Sequence, residues 1–72
     1  MTEHQAEKEL RHFAKIKASA MWQSFTPNQK AGVRFGMFPA KEMQSAIAEG
    51  HDCRLLSVAL MDEAQKDGGM RA

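Results

Sequence analysis

Apolar and polar positions alternate along this chain at helical spacing almost throughout, and four helices account for the pattern. Residues 3 to about 23 form the first. Thr2 precedes it as a cap, Glu3 and Glu7 sit near the positive end of its dipole, and lysines follow. Steps of about 100° per residue place Ala6, Leu10, Phe13, Ala14, Ala20 and Met21 on one face. Lys8, Arg11, His12, Lys15 and Ser19 fall on the opposite face. Lys17 interrupts the apolar stripe, so its stem is expected to lie on the core with its ammonium reaching water, or to face a carboxylate on a partner. Trp22 and Phe25 close the helix as an apolar anchor. Phe25 also occupies the first position of a hydrophobic staple, but the usual partner position holds Lys30, so packing on Trp22 or Met21 is expected instead.

The stretch Phe25–Met43 holds the densest punctuation. Thr26, Pro27 and Gln29 write a capping box with proline in the first helical position, opening a second helix that runs to about Phe35. Gly32 inside it costs about 1 kcal/mol against alanine, which close approach of another helix would explain. Gly36 ends the helix as the left-handed residue. Met37-Phe38-Pro39 forms a corner, and Pro39 opens a third helix to about Glu49, with Ala40, Met43 and Ile47 on its buried side. After Gly50 and His51, Asp52 caps a fourth helix from Cys53 to about Lys66. Leu55, Leu56, Val58, Ala59, Leu60 and Met61 cover nearly its whole circumference. A helix apolar all round is buried from every side, so it is either the central helix or covered on one face by a second copy. A homodimer is expected on that basis, with Leu55, Leu56, Val58, Leu60 and Met61 as its core or dimer residues.

The expected fold is therefore all-α: a compact four-helix domain spanning residues 1–72, with 67–72 as a flexible tail. At 72 residues the core is small and yields only a few kcal/mol of net stability. Cys53 is the only cysteine, which excludes an internal disulfide and fits a reducing compartment. Neither a basic-apolar leader nor a membrane-length apolar run is present, so a cytoplasmic location without membrane contact is expected. Ten basic against nine acidic residues give a net charge of +1. That excludes an acidic mimic of DNA and requires any nucleic-acid binding to come from a local patch.

Candidate chemistry is sparse. His51 and Cys53 flank Asp52, but neighbours at a helix start seldom face one another, and a capping turn with a small buried thiol is the expected meaning. His4 and His12 are too far apart to share a metal. No catalytic role, metal or cofactor is expected. The corner between the second and third helices has the scale of a helix-turn-helix, yet the would-be reading helix offers one cation, Lys41, beside Glu42 and Glu49. DNA binding is the alternative reading, and it requires Lys8, Arg11, Lys15, Lys30 and Arg34 to form one basic surface. The remaining signal is an excess of large apolar side chains over what a core this small can hold. It points to a protein–protein contact at the corner: Arg34, Phe35, Met37 and Phe38, rimmed by Lys30, Arg11 and Lys15.

Two segments, FTPNQKAGVRFGMFPA and VALMDEAQKDGGMRA, resemble stretches of small helical accessory proteins carried by proteobacterial phages and mobile elements. Together they cover under half of the chain and contain no catalytic motif. The resemblance implies a protein that binds and inhibits a bacterial host protein, such as a CRISPR effector, a motility or signalling factor, or a restriction system. No motif of an anti-CRISPR protein is matched.

Overall fold

The computed structural model describes residues 2–69, and within them every element is helical. α1 is Glu3–Ser24, α2 Pro27–Arg34, α3 Ala40–Ala48 and α4 Cys53–Ala64, followed by a single π-helical turn, Gln65–Gly69. The all-α four-helix expectation holds. The helix starts follow the local chemistry. Thr26 and Gln29 exchange side chain–backbone hydrogen bonds of 3.1 and 3.0 Å, a complete capping box. Thr2 and Gln5 form a second such box at α1, both bonds 3.2 Å. One carboxylate oxygen of Asp52 accepts from the amides of Arg54 and Leu55 at 2.9 and 3.1 Å, satisfying two free donors of α4. Gly36 and Gly50, with φ of 81° and 104°, end α2 and α3 in the left-handed conformation. Pro39 differs from expectation. It stands at the cap position of α3 without a side-chain bond, and the helix begins at Ala40.

The core is a single cluster in which Leu56, Leu60 and Val33 are fully buried, surrounded by Met21, Trp22, Phe25 and Met43. Ala18, Ala46, Ala59 and Ala64 fill the remaining positions, and their small side chains let the helices approach closely. α4 packs against α1 and α2. Trp22 and Phe25 meet edge to face, with centroids 6.2 Å apart, as the incomplete staple implied.

Several expectations change in three dimensions. α1 is about 33 Å long, whereas α2, α3 and α4 reach only about 12 to 18 Å. None of the shorter helices can cover α1 along its length. Its buried edge is Ala14, Ala18, Met21 and Trp22, while Leu10, Phe13 and Ala20 of the expected face are exposed. α3 buries Met43 and Ala46 rather than Ala40 and Ile47, a rotation of its inner side toward the core beneath it. α4 is not buried from every side: Val58 is 68% exposed, because neither α1 nor α2 reaches around it. The neighbour that makes Gly32 necessary is the Met37 carbonyl, not another helix. α4 stops as an α-helix at Ala64, two residues before Lys66, and widens into the π-helical turn over Gln65–Gly69. Residues 67–69, expected to begin the tail, belong to that turn; residues 70–72 of that tail lie outside the described residues.

Candidate interaction surface

The corner between α2 and α3 splits the apolar residues it carries. Phe35 is 84% exposed and Met37 71%, while Phe38 packs against the core cluster. The split follows from the backbone. Phe35 caps the C-terminal end of α2, its amide and that of Gly36 bonded back to Gly32 and Val33. Gly36 then reverses the chain, and the Met37 amide donates to the Gly32 carbonyl at 2.8 Å. Five residues, Phe35 to Pro39, separate α2 from α3, longer than the three or four of a helix-turn-helix. α3 presents only Lys41 as a cation.

Lys30 and Arg34, one turn apart on α2, are engaged within the fold. The Lys30 ammonium and the Arg34 guanidinium each lie 5.5 Å from the Trp22 ring centroid. Their stems help keep the indole 4% exposed while their charged ends stay near the surface. Arg34 also reaches Asp67 at 3.5 Å. On α1, Arg11 pairs with Glu7 at 2.7 Å, and Lys15 has no ion pair among the described residues. Arg11 and Lys15 line a shallow groove of about 560 Å³ whose α4 side includes Leu55, Val58 and Asp62. The five cations required for DNA binding are thus divided: Lys30 and Arg34 flank Trp22, Arg11 and Lys15 line the α1/α4 groove beside Asp62, and Lys8 is exposed on α1 outside that groove. Leu56 and Leu60 are wholly internal, Leu55 and Met61 half-buried.

The carboxylate facing Lys17 is the chain's own: Glu49, at the end of α3, accepts from its ammonium at 3.0 Å. Nothing local links the two, which are thirty-two residues apart. His51 is buried, its ring stacked on Phe13 with centroids 4.2 Å apart and planes 16° from parallel. Its Nδ1, like the Trp22 Nε1, has no hydrogen-bond partner within the protein. Cys53, expected as a small buried thiol, is exposed, as are its neighbours Asp52 and Arg54 at the start of α4. None of the described hydrogen bonds joins the two side chains. Among the described residues no three His, Cys, Asp or Glu side chains gather as metal ligands, and no helix is long and apolar enough to cross a membrane.

The surface that the sequence pattern missed is on α1. Leu10, Phe13 and Ile16 are 48, 49 and 57% exposed. Ile16 sits about 60° from Phe13 around the helix, outside the face assigned to the core. That offset was the available signal. No protein-family model matches the chain, and no curated protein or solved structure is similar to it.

Proposed function

We propose that this chain is a non-enzymatic protein–protein interaction module whose contact centre is the Phe35–Met37 apex, with Lys30 and Arg34 at its rim. The observation that carries the reading is the exposure of two large apolar side chains on a corner fixed by the capping box at one end and Gly36 at its turn. A preformed corner loses little conformational freedom on binding. Phe, Met and Arg are enriched at interfaces, and Arg34 immediately precedes Phe35 in the chain. The complementary partner carries an apolar pocket bordered by acidic groups. That this partner is a bacterial host protein, inhibited by the contact, rests on the resemblance to phage and mobile-element proteins alone.

The test is affinity capture from bacterial lysate with the unaltered chain and with Phe35→Asp. The reading expects one host protein to be enriched and to be lost with the variant, whose circular dichroism is unchanged. Equal capture by both chains removes the apex from the contact. Salt-sensitive retardation of duplex DNA that disappears on charge reversal at Lys30 and Arg34 would replace the reading with nucleic-acid binding.

A further inference from the structure

The groove between α1 and α4 joins an apolar side to a charged one. Leu55, Val58 and Met61 line it and fall within about 120° of one another around α4. Val58 is 68% exposed, so no described residue lies over this side. Ala59, also a lining residue, is buried, and its small side chain leaves the depression of about 560 Å³. Arg11 and Lys15 stand on the α1 side, one turn apart and both exposed. Asp62 stands on the α4 side.

These charges are not satisfied across the groove. Lys15 has no ion pair among the described residues. Arg11 pairs with Glu7 and Asp62 with Lys66, each one turn along its own helix and at exposed positions. Such pairs contribute little and exchange readily for an incoming carboxylate or cation. The groove therefore presents two positive charges on one wall and a negative charge on the other.

That pattern selects the occupant. A groove this shallow encloses too little of a small molecule, which needs most of its surface covered, but it accepts one face of a helix. Leu55 to Asp62 spans about 10 Å along α4, the reach of helix anchors at i, i+3, i+4 and i+7. Cations about 6 Å apart on the α1 wall complement carboxylates one turn apart on one edge of such a helix. Asp62 complements a cation on its other edge. A flat anionic lipid surface does not enter a concave groove, and Asp62 would repel it. We propose that the α1/α4 groove binds an amphipathic helix of another protein, its apolar face on Val58, its carboxylates toward Arg11 and Lys15 and a cation toward Asp62. None of the groove's residues belongs to α2, α3 or their corner, so this contact does not depend on the Phe35–Met37 apex binding a partner.

Methyl NMR of the isotope-labelled full chain tests it with two synthetic helical peptides. Both carry leucine at i, i+3, i+4 and i+7. One has glutamates a turn apart on one edge of that face and a lysine on the other; the second has lysine in place of each glutamate. The glutamate peptide is expected to shift the Leu55, Val58 and Met61 methyl signals saturably and to bind at least about tenfold more tightly than the lysine peptide. Lys15→Glu is expected to remove or invert that preference. Val58→Gln is expected to weaken binding of the glutamate peptide at least about fivefold by removing an apolar anchor. Both positions are exposed, so circular dichroism of the variants should match the parent. Four outcomes overturn the proposal: no saturable shift at millimolar peptide, equal affinity for the two peptides, a preference unchanged by Lys15→Glu, or shifts centred on Leu10 and Ile16 instead. Val58 methyl shifts that appear on concentrating the chain alone, with a mass rising from 8.1 kDa, would assign the groove to a second copy and overturn it as well.

Discussion

Gly32 and Met37 meet at the corner through one hydrogen bond and one close approach. The Met37 amide donates to the Gly32 carbonyl at 2.8 Å, and the Met37 carbonyl lies 3.1 Å from where a β-carbon on Gly32 would stand. Alanine at a helix-interior glycine gains about 1 kcal/mol of helix propensity. Here the gain meets a backbone oxygen held close by the neighbouring hydrogen bond. Gly32→Ala is therefore expected to lower stability by about 1 kcal/mol instead of raising it, a sign that urea denaturation reads directly. The strain falls on Met37, so partner affinity should fall with it.

The apex and the core meet at consecutive residues of the chain, Met37 and Phe38. Phe35→Ser and Met37→Ser remove exposed side chains and should change stability by less than about 0.5 kcal/mol. Phe38→Asp places a carboxylate against the core cluster and should cost more than about 2 kcal/mol. Thermal melts of the three variants distinguish the two roles. Equal losses at Phe35 and Phe38 would place both in the core.

Leu60 and Val58 make the same comparison on α4. Leu60 is fully buried, and its truncation to alanine should cost about 2–5 kcal/mol through lost contacts and the cavity left behind. In a domain with a few kcal/mol of total stability, that abolishes a cooperative transition. Val58→Ala should remain within about 0.5 kcal/mol of the parent in monomer. A large loss at Val58 would show that its face is covered in solution.

The Lys17–Glu49 pair joins α1 to the end of α3, with side chains 27% and 53% exposed. Solvent screening limits such a pair to less than about 1 kcal/mol. Glu49→Gln should therefore shift the melting temperature slightly in dilute buffer and not at all in molar salt. A loss that persists in high salt would mean that the Lys17 stem depends on the pair for its packing.

The helix starts were legible because each is written in neighbouring residues. Thr26, Pro27 and Gln29 satisfy α2's own amides, Asp52 satisfies two of α4's, and Gly36 and Gly50 adopt backbone angles other residues resist. No distant contact is needed to form any of them, and their positions in the folded chain follow the sequence to within a residue or two. The composition of the core was legible in the same way at Leu56, Leu60 and Met43.

Coverage was not legible. Helical periodicity states which residues share a face, not how far a neighbouring helix reaches along it. α1 outruns its partners, so one half of its apolar circumference is core and the other half is surface. Val58, Phe35 and Met37 are exposed because no element passes over them, and Phe38 is inside because Gly36 turns the chain at that point. The burial of His51 has a related reason: Phe13, thirty-eight residues away, supplies the ring that stacks on the imidazole. Local chemistry determined the helices of this protein, while their unequal lengths and the turn at the corner decided which of its apolar residues face water.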